Sequence, residues 1–140
     1  GLGKNVNFIM KSSDIVLPRD EQIPLELDHV FIDGAHGFPA PIIDWHYTAH
    51  KLKIGGIVSV DDFRMPSVKI LYNFLSAEEE WELIRVVHNT AFFRKVKEPK
   101  DINDWSGQKI NSTFQPGKKD SKGRQFISKL KSRLAKILKG

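Results

Sequence analysis

The chain contains no cysteine, only two methionines and two tyrosines, and a single acid in its last 23 positions. The missing thiols exclude disulfides, thiolate-held zinc, iron–sulfur clusters and cysteine nucleophiles together, and they fit a reducing compartment. A cytoplasmic location is therefore expected. Long apolar runs are lacking too. The longest clean one, Ile54 to Val60, falls far short of the roughly 20 residues a membrane helix needs. No basic-then-apolar leader is visible, so neither a spanning nor a secreted protein is expected. What remains is 140 residues with 40% hydrophobic and 10% aromatic content. That is one domain's worth of chain, with enough apolar material to offset the entropy of folding.

Charge is unevenly placed. Residues 118–140 carry nine Lys and Arg against Asp120 alone, a local +8, so a whole-chain charge of +5 leaves −3 on residues 1–117. The reading is a mildly acidic globule over 1–117 and a basic tail over 118–140. Within the tail, Phe126, Leu130, Leu134 and Ile137 recur at helical spacing, so an amphipathic helix with a basic opposite face is predicted over 125–139. Three uses suit it: packing on the body, lying on an anionic membrane surface as a peripheral contact, or binding nucleic acid. The last is the least favoured, because the tail has one aromatic and no recognition module.

Along the body, Asn5–Met10 and Leu27–Asp33 (LDHVFID) read as buried strands. Pro18 and Pro24 limit the connector between them to a short helical turn. From Pro41, Ile42, Trp45, Ala49 and Leu52 share a helical face, with Gly55-Gly56 as the stop. Gly56–Val60 is apolar on both faces, as a covered parallel strand would be. A helix over Pro66–Leu75 follows. Trp81–His88 and Ala91–Val96 then read as an antiparallel hairpin, and 97–123 as loop with one strand around Ile110–Phe114. The predicted class is α/β, parallel strands ending in an antiparallel pair.

In such sheets, ligands sit beyond the carboxyl ends of the strands. Asp33 ends one strand there, and Asp61 and Asp62 end another. Neighbouring strands lie about 4.8 Å apart, so three carboxylates on this edge suit a hard cation such as Mg²⁺ rather than zinc. The plainer reading of each Asp alone is a helix cap or a loop hydrogen-bonder. His46 and His50, four apart near Asp44, also have metal-ligand spacing, with no third ligand nominated.

The segments DHVFIDGAH and KIGGIVSVDDF, joined by a helix, resemble the second half of a class I S-adenosylmethionine-dependent methyltransferase, in its metal-dependent O-methyltransferase branch. The resemblance covers about residues 5–96 and implies a partial Rossmann-like sheet. It implies Asp33, Asp61 and Asp62 as ligands of Mg²⁺ or another divalent cation, and His36 as the base that takes a proton from a hydroxyl. Imidazole as a class titrates near neutrality, which suits that role. The Asp-Gly-x-His form implies a sugar or other small-molecule or glycan hydroxyl as acceptor. Ser13 and Asp14 would border the adenine of S-adenosylmethionine, with Asp33 also at the cofactor edge. The family's N-terminal cofactor strands and glycine-rich turn have no counterpart here, and Gly1-Leu2-Gly3 has no strand before it. The strands left without neighbours are expected to pair with each other or to dimerise along the open edge. The rival expectation is a non-catalytic remnant that works through its basic tail as an interaction or membrane-surface module.

Overall fold

The computed structural model describes residues 2–19 and 23–113. The basic tail, the predicted helix over 125–139 and Phe114 lie outside the described residues. The protein is a mixed α/β structure with a four-stranded mixed sheet. Its strands are β1 (Leu27–Ile32), β2 (Leu52–Val60), β3 (Trp81–Val87) and β4 (Thr90–Lys95), in the spatial order β1-β2-β4-β3. β1 and β2 are parallel, and β4 runs antiparallel to both β2 and β3. The helices are α1 (Ser13–Val16), α2 (Ala40–Ala49) and α3 (Pro66–Ala77).

The strand–helix–strand unit and the terminal hairpin fall where the hydrophobic pattern puts them. Pro66 opens α3 at its first turn, where a missing N–H costs nothing. Val68, Leu71 and Leu75 then recur on its buried face. They meet Val58 and Val60 of β2 and Ala91 and Phe93 of β4 in one core, which Ile32, Ala49, Leu52 and Trp81 complete. Fully burying a side chain the size of Phe93 contributes about 1.5–3 kcal/mol. Trp81 stands edge-on to Trp45 at 6.2 Å, and Trp45 edge-on to Phe74 at 5.0 Å, joining α2, α3 and β3 at one end of this core.

Four expectations need correction. Asn5–Met10 is not a strand. Leu2–Asn5 is a 3-10 turn and the next five residues make no ladder, leaving Phe8 and Met10 almost fully exposed. A β-branched and aromatic run becomes a strand only when a neighbour takes its backbone groups, and β1 pairs with β2 alone. Among the described residues this segment does not pair with Leu27–Asp33, the first of the two arrangements expected for the open edge.

Second, α2 stops at Ala49, and β2 starts at Leu52, four residues earlier than predicted. The Thr48 hydroxyl bonds back to the Asp44 carbonyl at 2.7 Å, and the Lys51 amide bonds to the Thr48 carbonyl at 3.0 Å. Gly55, at φ +89°, lies inside β2, where the pairing jumps from Leu27–Leu52 to His29–Ile57. The glycine pair makes a strand irregularity, not a helix stop. Third, the hairpin turn is His88-Asn89, with Thr90 already in β4. Fourth, Lys109–Asn111 is a 3-10 turn where a strand was expected, held by the buried Glu78 carboxylate, which accepts from the amides of Lys109 at 3.0 Å and Ile110 at 2.9 Å. The short helix predicted in the connector is present as α1, followed by a 3-10 turn over Leu17–Arg19.

Candidate functional site

The parallel pairing of β1 with β2 fixes the carboxyl edge of the sheet. Ile32 faces Val60, and the ladder runs one bond further, with the Asp61 amide donating to the Ile32 carbonyl at 3.0 Å. Asp33 and Asp61 therefore leave adjacent strands side by side. Asp62 takes a left-handed conformation at φ +48°, which turns the chain sharply out of β2. Its carbonyl then accepts the Met65 amide at 2.9 Å, and α3 begins at the next residue.

The loop after β1 carries His36 back over this edge. Its Nε2 lies 3.5 Å from Asp62 Oδ2 and 3.9 Å from Asp33 Oδ1, so one imidazole stands between carboxylates from two strands. The nitrogen is closed off from solvent and, among the described residues, makes no hydrogen bond of good geometry. The His36 carbonyl accepts from the Ser67 hydroxyl on the first turn of α3, which anchors the loop. Asp44 of α2 approaches the same loop: a Cβ on Gly34 would lie 3.6 Å from its Oδ2, while its Oδ1 is buried without a partner.

The hairpin supplies the remaining contacts. Thr90 donates its hydroxyl to Asp61 Oδ1, and Asn89 Nδ2 lies 3.5 Å from Asp62 Oδ1. The Phe63 amide donates to the Asn89 carbonyl at 3.2 Å, stitching the hairpin tip to the loop after β2.

Of the residues singled out by sequence, Asp33, His36 and Asp62 are thus gathered, while Asp61 faces Thr90. Among the described residues, no three His, Cys, Asp or Glu side chains converge closely enough to hold a metal ion as they stand. The carboxylates of Asp33, Asp61 and Asp62 are hard oxygen donors of the kind Mg²⁺ takes, and the Thr90 hydroxyl occupies one of the two Asp61 oxygens. Ser13 and Asp14 lie on α1, where Asp14 accepts from the Ser12 hydroxyl, and none of the contacts at the Asp33/His36/Asp62 group involves either residue. His46 packs edge-on against Tyr47 at 4.9 Å. Ser67, Asn89 and Thr90 were missed in the sequence because their roles depend on which strands become neighbours. The one available signal was that a hairpin following a βαβ unit can return its turn to the parallel strands' carboxyl edge.

No helix among the described residues is long and apolar enough to cross a membrane. Compared with known proteins, the chain matches no protein-family model and no curated sequence.

Proposed function

We propose that this chain supplies the acceptor-activating half of a metal-assisted O-methyltransferase site, acting on a hydroxyl of a sugar or similar polyol. The observation that carries the reading is His36, set between Asp33 and Asp62 at the carboxyl edge of two adjacent parallel strands. The strand order β1-β2-β4-β3, with its antiparallel return, supports a Rossmann-like methyltransferase half-sheet. In this reading His36 takes the acceptor's proton, and Asp33 and Asp62 on either side keep the imidazole at the strand edge. Asp33 and Asp62, joined by Asp61, hold the cation. When bound, Mg²⁺ lowers the acceptor hydroxyl's pKa and orients it.

The described residues do not by themselves form a cradle for S-adenosylmethionine: among them Ser13 and Asp14 make no hydrogen bond or ion pair with Asp33, and the glycine-containing turn after β1, Gly34 to Gly37, is taken up by His36 and its carboxylates. The cofactor half then comes from other residues of a longer protein or from a second copy, and the outer edge of β1, which carries no described ladder, is suited to that pairing. A non-catalytic module acting through its basic tail is the second reading, favoured by the lack, among the described residues, of three side chains close enough to hold a metal ion.

The test is thermal unfolding with and without Mg²⁺, beside calorimetric titration with S-adenosylhomocysteine. A cation at 100 times its dissociation constant stabilises by about 2.7 kcal/mol. That gain should vanish in Asp33→Asn and Asp62→Asn. A chain indifferent to both ligands would favour the second reading.

A further inference from the structure

Away from the carboxyl edge, α2, α3 and the segment 99–110 enclose an open, mainly apolar cavity of about 450 Å³. Its walls include Ile42, Trp45, Ile70, Phe74, Ile102 and Ile110. Ile70, Ile102 and Ile110 are 45%, 70% and 41% exposed, so this is apolar surface that the described residues leave uncovered. We infer that residues 125–139 of this same chain cover it, laying Phe126, Leu130, Leu134 and Ile137 along the groove and turning their basic face to solvent.

Four observations select this occupant. The described chain leaves from the groove itself: Ile110 lines it, and the last described residue is Thr113. The eleven residues 114–124 reach at most about 40 Å when extended, ample for a return onto the adjacent groove. A 15-residue helix is about 22 Å long, which matches a groove flanked by the 12-residue α3. The −3 charge of residues 1–117 draws a +8 tail toward the body.

The contact itself must be apolar. The glutamates at the end of α3 are already paired: Glu78 and Glu80 with Lys100, and Glu79 with Lys97 and Lys109. A lysine entering the groove would lose hydration and find no free acid there, whereas a leucine gains by leaving water. Apolar surface also lies at Phe8, Met10 and Ile15, a short segment without a ladder, and on the far face of the sheet, which carries Phe31 and the half-buried Ile57 and Phe92. The register sets charged Glu82, Arg85 and Arg94 and the imidazole of His29 among them. That face is a poorer seat for a four-residue apolar stripe.

Because the chain has no cysteine, one nitroxide can be placed cleanly at Ser132→Cys, on the side of the predicted helix opposite the stripe. In the full-length ¹⁵N-labelled chain, the amide peaks of Ile70, Phe74, Ile102 and Ile110 should be lost to broadening. Those of Phe31 and Phe92 should persist, and adding Leu130→Asp and Leu134→Asp should restore the lost peaks. Broadening of Phe31 and Phe92 instead, or of no described residue, would overturn the inference. So would broadening that survives when a nitroxide-bearing ¹⁴N chain is mixed with an unlabelled-spin ¹⁵N chain, since the helix would then belong to a second copy.

Discussion

Lys95 has no exposed surface, yet it ends a strand of an otherwise apolar core. Its Nζ donates to the carbonyls of Leu52 at 2.7 Å and Ala49 at 3.1 Å, and pairs with Glu98 at 2.7 Å. Ala49 is the last residue of α2 and Leu52 the first of β2, so one ammonium satisfies both sides of the helix-to-strand corner. Lys95→Met keeps the stem and deletes the charge. Swapping a whole buried ion pair for apolar groups is often harmless, but here the two carbonyls stay behind in a closed site. Each such loss costs about 1–3 kcal/mol. Glu98, 62% exposed, is simply rehydrated, and the thioether recovers part of the packing. A net loss of about 2–4 kcal/mol is expected, seen as a fall of roughly 7–14 °C in Tm for a chain of this size. Denaturant unfolding gives the same quantity at constant slope. A loss below about 0.5 kcal/mol would refute the argument that these carbonyls depend on Lys95.

Thr90→Val should cost about 1 kcal/mol by orphaning the Asp61 carboxylate, and Thr90→Ser should restore it. If Asp61 joins a cation site, Thr90→Val should also change Mg²⁺-induced stabilisation, read in the same melts. Trp81→Ala, removing the anchor that meets Trp45 beneath α2 and α3, should cost about 3–5 kcal/mol in urea unfolding. The pH dependence has two limbs. Lys109 first, and then Lys97, hold Glu79 below the usual glutamate value. Its contribution is therefore complete above the unfolded value near 4.3 and lost as pH falls through the lower folded one. Burial opposes the Lys100 ammonium, but Glu80 and Glu78 outweigh it and raise its pKa. Its contribution is complete below the unfolded value near 10.4 and lost as pH rises through the folded one. Tm against pH should thus show a plateau between these limbs, and 1 M salt should flatten the acid limb, carried by the exposed Glu79 pairs, more than the alkaline one, where Glu78 and Glu80 are buried.

What could be read from the chain followed from whether a pattern is local or needs a neighbour. The α3 stripe Val68, Leu71, Leu75 and the alternation Ala91, Phe93, Lys95 are local periodicities, and both were legible. The same alternation places Lys95 on the inward face, but only the corner between α2 and β2 explains why a lysine is tolerated there. Asn5–Met10 has the composition of a strand and no partner to make it one, so composition misleads where a ladder is required. Gly55-Gly56 reads from sequence as a helix stop, and it is a strand irregularity instead because β1 pairs back as far as Leu52. The candidate site divides along the same line. Asp33 and Asp61 are adjacent because two apolar runs become parallel neighbours, a step the βαβ pattern supports. The contact of Asp61 with Thr90 depends on β4 inserting beside β2 rather than β3, and no residue within either strand dictates that order. Asp61 is therefore the carboxylate of this edge whose surroundings are set by the hairpin as well as by the two parallel strands. A cation taken up by that carboxylate would meet the oxygen that Thr90 leaves open, so the hydroxyl would orient the ligand, and the seating of the hairpin would be coupled to occupancy of the edge.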